Sequence, residues 1–506
     1  MFLPKTNRKI LPRWRDFWTT AALGQLSPAA ANAEASQLPR ASEIESRSAW
    51  RLNQTLWHAL DLVGSALVIG DTSDPDVLAA ATFLESKGHD CPAPARQLVK
   101  RILHPDEQSG INIELPTISQ SSLRVEIQAR RRRLGVEPRN AILWTDVARL
   151  YASLGQRSKA EHAIQMACRL APDNRFVIRS AARFFVHIGD HEQALRLLRT
   201  TTLTQSDPWI AAAEIGVSTF SAANPRLLKL GRRMVDSGDF SDFAKSELAS
   251  ALATIELNEG NRKAAKKLFK QSLALPTENS VAQAEWASAQ VGDLYLPTIQ
   301  PQVPRNYEAR SLYGYRIGNW ETARANAEDW LNDQPFSSRP ASVLSYLYST
   351  ILGRYDEALE VLNFSLKSNP EDRGLINNKA FNLINLERLD EADTLLRRTD
   401  PKAIDDLATI TLIATKGLLL FRKGLPEIGR ILYLEAIDMA KRKENRHYAA
   451  LAALYLALEE LRSDSKTKSQ SVKAAVQLVA LCDEPDVRHL YPRLVTMAKV
   501  AKIDIK

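Results

Sequence analysis

The sequence predicts an all-α protein, an α-solenoid of paired helices preceded by a small helical unit. Three observations carry this reading. A step of 34 residues maps Ala148 onto Ala182, Gly155 onto Gly189 and Ala160 onto Ala194, with Phe185 in place of Tyr151 and Leu198 in place of Ile164. Within the stretch "WTDVARLYASLGQRSKAEHAIQMACRLAPDN", the small residues Ala148, Ala160 and Ala167 sit among large apolar ones at helical spacing. Breaks fall between the apolar runs, at Gly155 and again at Pro172. Two helices pack closely only where side chains are small. Ala148 therefore faces Ala160, Ala167 leaves room for the next pair, and Trp144, Tyr151 and Ile164 fill the gaps.

The composition narrows the function classes. At 506 residues the chain is long enough for several domains or one long array. A hydrophobic content of 45% argues against a wholly disordered chain. With 67 basic against 59 acidic residues, the formal charge of +8 permits acidic partners without requiring nucleic acid. Cys91, Cys168 and Cys482 are odd in number and far apart, so neither a disulfide framework nor a zinc knuckle is expected, and a cytoplasmic location fits best. Cys168 reads as a small core residue. No apolar run is long enough for a membrane span. Residues 1–45 form a basic, acid-poor, partly disordered tail without a secretory core; Trp14, Phe17 and Trp18 are its docking residues, and a transit peptide is the other reading.

Residues 46–115 read as a small helical unit. Leu52, Leu56, Leu60 and Val63 recur at helical steps in "WRLNQTLWHALDLVGSALVIG". In "SDPDVLAAATFLESKG", Asp74 caps, Pro75 takes the first turn and Gly88 stops the helix, and "PAPARQLVKRIL" supplies a third helix. The run "ALVIGDT" could be a strand leading to a phosphate loop, but no glycine-rich phosphate motif follows, so helix is preferred.

The 34-residue helix–turn–helix spacing resembles that of the tetratricopeptide-repeat family. Further copies carry Ala253, Gly260, Ala265 and Phe269; Gly353, Ala358, Leu362 and Pro370; and Ala380, Ala392 and Leu396, with Glu387 where the turn glycine belongs. Another keeps Gly318, Ala323 and Pro335 but has Trp330 at a small-residue position, and a last keeps Gly417, Gly424, Gly429 and Ala436. The unit after Pro208 is degenerate beyond Phe220. A first array over 116–290 is expected to join a second over 306–506 through a proline-rich connection at 291–305, which holds Pro297, Pro301 and Pro304. A polar loop is expected at 463–471, and the final helices should cap the solenoid.

No catalytic constellation, cofactor motif or metal set is found, so the chain is expected not to be an enzyme; an active site hidden in 46–115 is the least favoured class. His187 and His191 flank the turn residue Gly189 and read as exposed turn histidines. Arg130, Arg131, Arg132 and Arg133 are possible phosphate contacts. They read better as a basic last turn of a helix ending at Gly135. The resemblance implies a scaffold or adaptor that binds another protein in a concave groove lined by first helices, with regulation or assembly of an enzymatic partner as one use. Groove positions of the first array include Thr145, Arg149, Arg179 and Arg183, which suit an acidic segment or a C-terminal carboxylate. Chaperone-binding relatives hold that carboxylate with a Lys and an Asn four apart, a clamp that Thr145 and Arg149 do not reproduce. In the second array Asn377, Phe381 and Phe421 line an apolar groove that suits an amphipathic helix, this chain's own tail or a second copy by self-association. The alternative function is a helical-repeat nucleic-acid binder using a basic groove.

Overall fold

The computed structural model describes residues 1–3, 8–26, 40–104, 119–220, 224–291, 294, 296, 303–399 and 407–504. Most of the proline-rich connection, Pro297 and Pro301 included, lies outside them. Among the described residues every regular element is helical, and the helices pair in sequence as a tetratricopeptide-like α-solenoid. None is long and apolar enough to cross a membrane.

Local chemistry sets the repeat. Asn140 starts the helix Ala141–Ser153 by accepting the Leu143 amide, and 34 residues later Asn174 starts Arg175–His187 by accepting the Val177 amide. Second helices follow at Arg157–Leu170 and His191–Thr200. Between each pair the chain turns through a left-handed residue, Gly155 at φ 70° and Gly189 at φ 83°. Glu387 takes that place at φ 59°, at a backbone cost of about 1–2 kcal/mol for an L side chain. Ala148, Ala160, Ala167, Ala182 and Ala194 are all fully buried, as are Ala253, Ala265, Ala358, Ala380 and Ala392 in later pairs. The degenerate region still makes a pair, Pro208–Phe220 with Leu228–Asp236.

The chain divides into two compact units. One comprises residues 7–309 with 332–334, the other 1–6, 310–331 and 335–506. In the first, a small helical unit packs its own core of Trp50, Leu60, Leu62, Val63, Leu84 and Val99. Its first helix, Arg40–Leu52, begins ahead of residue 46, and Leu52 is not in line with the next helix. Thr55 restarts the chain as Leu56–Ile69 by accepting the His58 amide, which leaves Leu52 exposed. Asp74 and Pro75 open Pro75–Ser86 as expected, and "ALVI" is helical. The basic helix Gln120–Val136 runs through Gly135 rather than stopping there.

In the second unit, Arg373–Asn385, Leu407–Arg422 and Arg446–Arg462 are first helices. The polar loop is shorter than expected, because the helix Lys468–Ala480 starts inside it. Pro485–Val500 follows and buries Val487, Leu490, Leu494 and Ala498.

Candidate functional site

First helices of these pairs carry polar side chains on a buried face, and in both units the chain's own N-terminal residues lie on it. In the 7–309 unit, residues 8–26 touch one first helix after another. Trp14, fully buried, meets Phe184 edge-on at 5.9 Å. Phe17 packs on Phe176 at 5.6 Å and shares a core with Ala21, Ala22 and Leu26. Ile10 passes so close to the helix Pro208–Phe220 that a Cβ on Gly216 would stand 2.0 Å from the Ile10 carbonyl oxygen.

Backbone and side chains of this segment are both recognised. Asn279 donates to the Leu11 carbonyl at 2.9 Å, and Gln283 donates to the Arg8 carbonyl at 3.0 Å. The Arg8 guanidinium forks onto Glu308, with Nε and Nη2 each at 2.9 Å, and also donates to Gln283 at 2.6 Å and Asn279 at 2.8 Å. Arg13 joins it on Glu308. Arg15 forks onto Asp333 at 2.7 and 2.6 Å and donates to Glu278 at 2.6 Å. Arg305 reaches the same Asp333 at 2.7 Å, and Gln25 the same Glu278 at 3.0 Å. Buried charges persist when paired and hydrogen-bonded in this way. Burial works to raise the Asp333 and Glu278 carboxyls. The arginines outweigh it and hold both below the usual carboxylate range, Asp333 through Arg15 and Arg305, Glu278 through Arg15 and Arg13.

Asp16 caps the short helix Phe17–Ala22 by accepting the Thr19 amide. Burial opposes its charge, but Arg149 and the Thr19 hydrogen bond dominate and keep it ionised. Beside it Asp146 accepts the Phe17 amide at 3.1 Å. Burial pushes the Asp146 carboxyl up to about 7, with Arg130 opposing and Asp16 adding to the rise. A folded pKa above the unfolded one means that the neutral acid is favoured. Its stabilisation is full below an unfolded pKa of about 4 and is lost as pH rises through about 7. Asp146→Asn should therefore remove a stability loss of up to about 1.4 kcal/mol per pH unit on the way to pH 7. Melting temperatures at pH 5 and pH 8 measure this; equal pH dependence in both proteins would show that Asp146 is ionised throughout.

In the second unit the same device recurs. Asn378 donates to the Phe2 carbonyl at 3.0 Å and accepts the Phe2 amide at 2.6 Å. Tyr448 donates to the Leu3 carbonyl at 3.1 Å. The Phe2 ring fills the space that a Cβ on Gly374 would need, 2.3 Å away.

The residues singled out from sequence fall in varied places. Arg149 is buried, and its charge favours the ionised forms of Asp16 and Asp146. It lines a cavity of about 1270 Å³ together with Arg130 and Asn140. Arg179 does not await an external acid, because it is buried, paired with Glu247 at 2.6 Å and stacked on Trp209. Arg183 is half-buried. His187 and His191 are half-buried rather than exposed, and burial, with Arg183 adding to it, pushes His187 down to about 3. Asn377 is buried and donates to Asn378 at 3.3 Å; the neighbour, not Asn377, holds the N-terminal backbone. Phe381 packs on Tyr455 and Phe421 on Tyr433, so both serve the core. Arg130 pairs with Glu126, and Arg133 pairs with Asp61 while stacking on Trp57. Arg131 and Arg132 are exposed. Sequence reasoning missed Glu278, Asn279, Gln283, Glu308, Asp333 and Asn378, and the tail's Arg8, Arg13 and Arg15.

Among the described residues, His447, Glu484 and Asp486 form the one group with metal-ligand spacing. Asp486 is fully buried, bonded by Tyr346, by His447 at 2.8 Å and by the Val487 amide, so its oxygens are engaged within the fold. Burial raises the Cys91 and Cys168 thiols to about 11 and about 12, which leaves them unreactive as thiolates.

No family model and no curated protein matches the chain. Solved structures do. A tetratricopeptide repeat protein from Parabacteroides merdae is 16% identical over 54% of this chain and 97% of its own, with a TM-score of 0.31. The Cut9–Hcn1 hetero-tetramer of the APC/C gives 12%, 96% and 90%, with 0.43. Yeast Tom70 gives 14%, 84% and 96%, with 0.31.

Proposed function

We propose that the protein is a non-catalytic scaffold or adaptor that binds other polypeptides as extended segments along its first helices. The observation that carries this reading is the clamping of main chain by side-chain amides. Asn279, Gln283 and Asn378 bond backbone groups of Leu11, Arg8 and Phe2. Such bonds read an extended chain whatever its side chains, which is what a binding face for linear segments requires. The chain's own N-terminal residues are its resident occupant, and a partner enters by taking their place. Regulation or assembly of an enzymatic partner is the use such a face suits. The buried carboxylates Glu247, Glu278, Glu308 and Asp333 weigh against a polyphosphate in the same place, so the nucleic-acid alternative is the weaker one.

The test uses the full chain carrying Arg8→Glu and Arg15→Glu, which disables the occupant and leaves the face intact. A labelled peptide of residues 8–26 should bind this variant at least tenfold more tightly than it binds the wild-type chain. In wild type the tethered segment competes at an effective concentration on the order of millimolar. Adding Asn279→Leu and Gln283→Leu to the variant should abolish the gain. Equal, weak binding to every form, with helical circular dichroism retained, would remove the reading.

A further inference from the structure

We infer that the face of the 7–309 unit is selective for arginine, and that the external partner presents an extended segment with two arginines seven residues apart, the second preceded by a large aromatic. This deepens the proposed function and rests on it. Without its occupant the face is short of cations. Glu308 then loses Arg8 and Arg13, Glu278 loses Arg15, and Asp333 loses Arg15 while keeping Arg305 and the Gln334 amide. Each of these three carboxylates is no more than 4% exposed and loses at least one guanidinium. A neutral or acidic segment would return none of that charge, so the electrostatics favour a cationic one.

Geometry narrows the cation to arginine. At Glu308 both carboxylate oxygens are taken by one planar fork, while Asn279 and Gln283 accept from the other edges of the same guanidinium. Four acceptor atoms arranged around one side chain match the five fixed donors of arginine. The three donors of a lysine ammonium, a point charge, cannot span them. At the second position Asp333 takes a fork and Glu278 takes the outer nitrogen. Between the two, the amides of Gln283 and Asn279 fix the register by holding the carbonyls of residues 8 and 11. Trp14 sets the aromatic requirement by filling the space against Phe184. The N-terminal segment thus displays the partner's signature, R-x6-R with W before the second R. As a tethered competitor it weakens an equal external segment by a factor on the order of 10³, from an effective concentration near millimolar against micromolar affinity.

The experiment titrates the full chain bearing Arg8→Glu and Arg15→Glu with three peptides of residues 8–26: unaltered, with both arginines as lysine, and with both as glutamate. If the reversed chain lacks helical circular dichroism, Arg8→Ala with Arg15→Ala replaces it. The unaltered peptide should bind, the lysine form should bind at least tenfold more weakly, and the glutamate form should not bind. Lysine and arginine peptides of equal affinity would overturn arginine selectivity, because charge alone would then suffice. A glutamate peptide that binds as well as the unaltered one would overturn the electrostatic argument while leaving a peptide-binding face standing. If no peptide binds while trypsin cleaves the released segment at Arg13, the proposed function itself fails, and the inference with it.

Discussion

Asp333→Ala should lower the unfolding free energy by about 3–5 kcal/mol at pH 7, because it strips the carboxylate from two buried guanidiniums at once. Arg15 and Arg305 are 3% and 6% exposed and bond Asp333 at 2.6–2.9 Å. Neither loses its charge when the partner goes; Arg15 keeps Glu278 at 2.6 Å, and Arg305 stays buried without the Asp333 carboxylate. The pH profile gives a second reading of the same residue. Its folded pKa lies below its unfolded value of about 4, so its contribution is present above pH 4 and is lost as pH falls through the folded value. Wild type should therefore lose stability on acidification below pH 4, while the variant, already without the carboxylate, should lose less. Urea denaturation followed by circular dichroism at pH 7 and pH 3 checks both. A cost below about 1 kcal/mol at pH 7 would place this pair in the class of solvated ion pairs.

Gly216→Val should free the N-terminal segment while the helix that carries the change stays formed. Gly216 lies inside Pro208–Phe220 with ordinary helical backbone, so by propensity a side chain there should favour the helix by a few tenths of a kcal/mol or more. The obstacle is external. The new Cβ would stand 2.0 Å from the Ile10 carbonyl oxygen and 3.0 Å from its carbon, both backbone atoms that cannot rotate aside. Arg8, Arg13 and Arg15 are trypsin sites now sealed against the helices, and their cleavage should accelerate by tenfold or more. Gly216→Ala tests the sign in milder form. If it stabilises the protein and leaves these arginines protected, the segment does not lie where the structure puts it. Gly374→Ala should act more weakly on Phe2, since a ring can turn away where a carbonyl cannot.

What could be read from sequence was the local and periodic part of the fold. Ala148, Ala160 and Ala194 announce helix pairs because close packing of neighbours needs small residues, and every one is fully buried. Asp74 and Pro75 announce a helix start by chemistry within three residues. The proposed binding face was legible only in outline. Arg179, expected to face a partner, finds its acid at Glu247, 68 residues on, and no local pattern pairs them. Nothing in the local sequence sets Glu308 and Asp333 apart from other carboxylates; their meaning comes from Arg8 and Arg15, 300 and 318 residues away. Asn377 was one residue off, and one step on a helix turns a side chain by about 100°. The signal that was present lay in the tail itself. Three aromatics within residues 14–18 are too much apolar surface for a solvated terminus, and Trp14 and Phe17 do dock.

The central claim is that residues 8–26 occupy the first-helix face of the full chain, and hydrogen exchange of the wild-type protein tests it most directly. The amides of Phe17 and Thr19–Leu23, bonded to Asp146, to Asp16 or within the short helix, should exchange as slowly as those of the buried helix Ala141–Ser153. Exchange of the peptide spanning 8–26 at the rate of an unstructured chain, with Ala141–Ser153 still protected, would contradict the account.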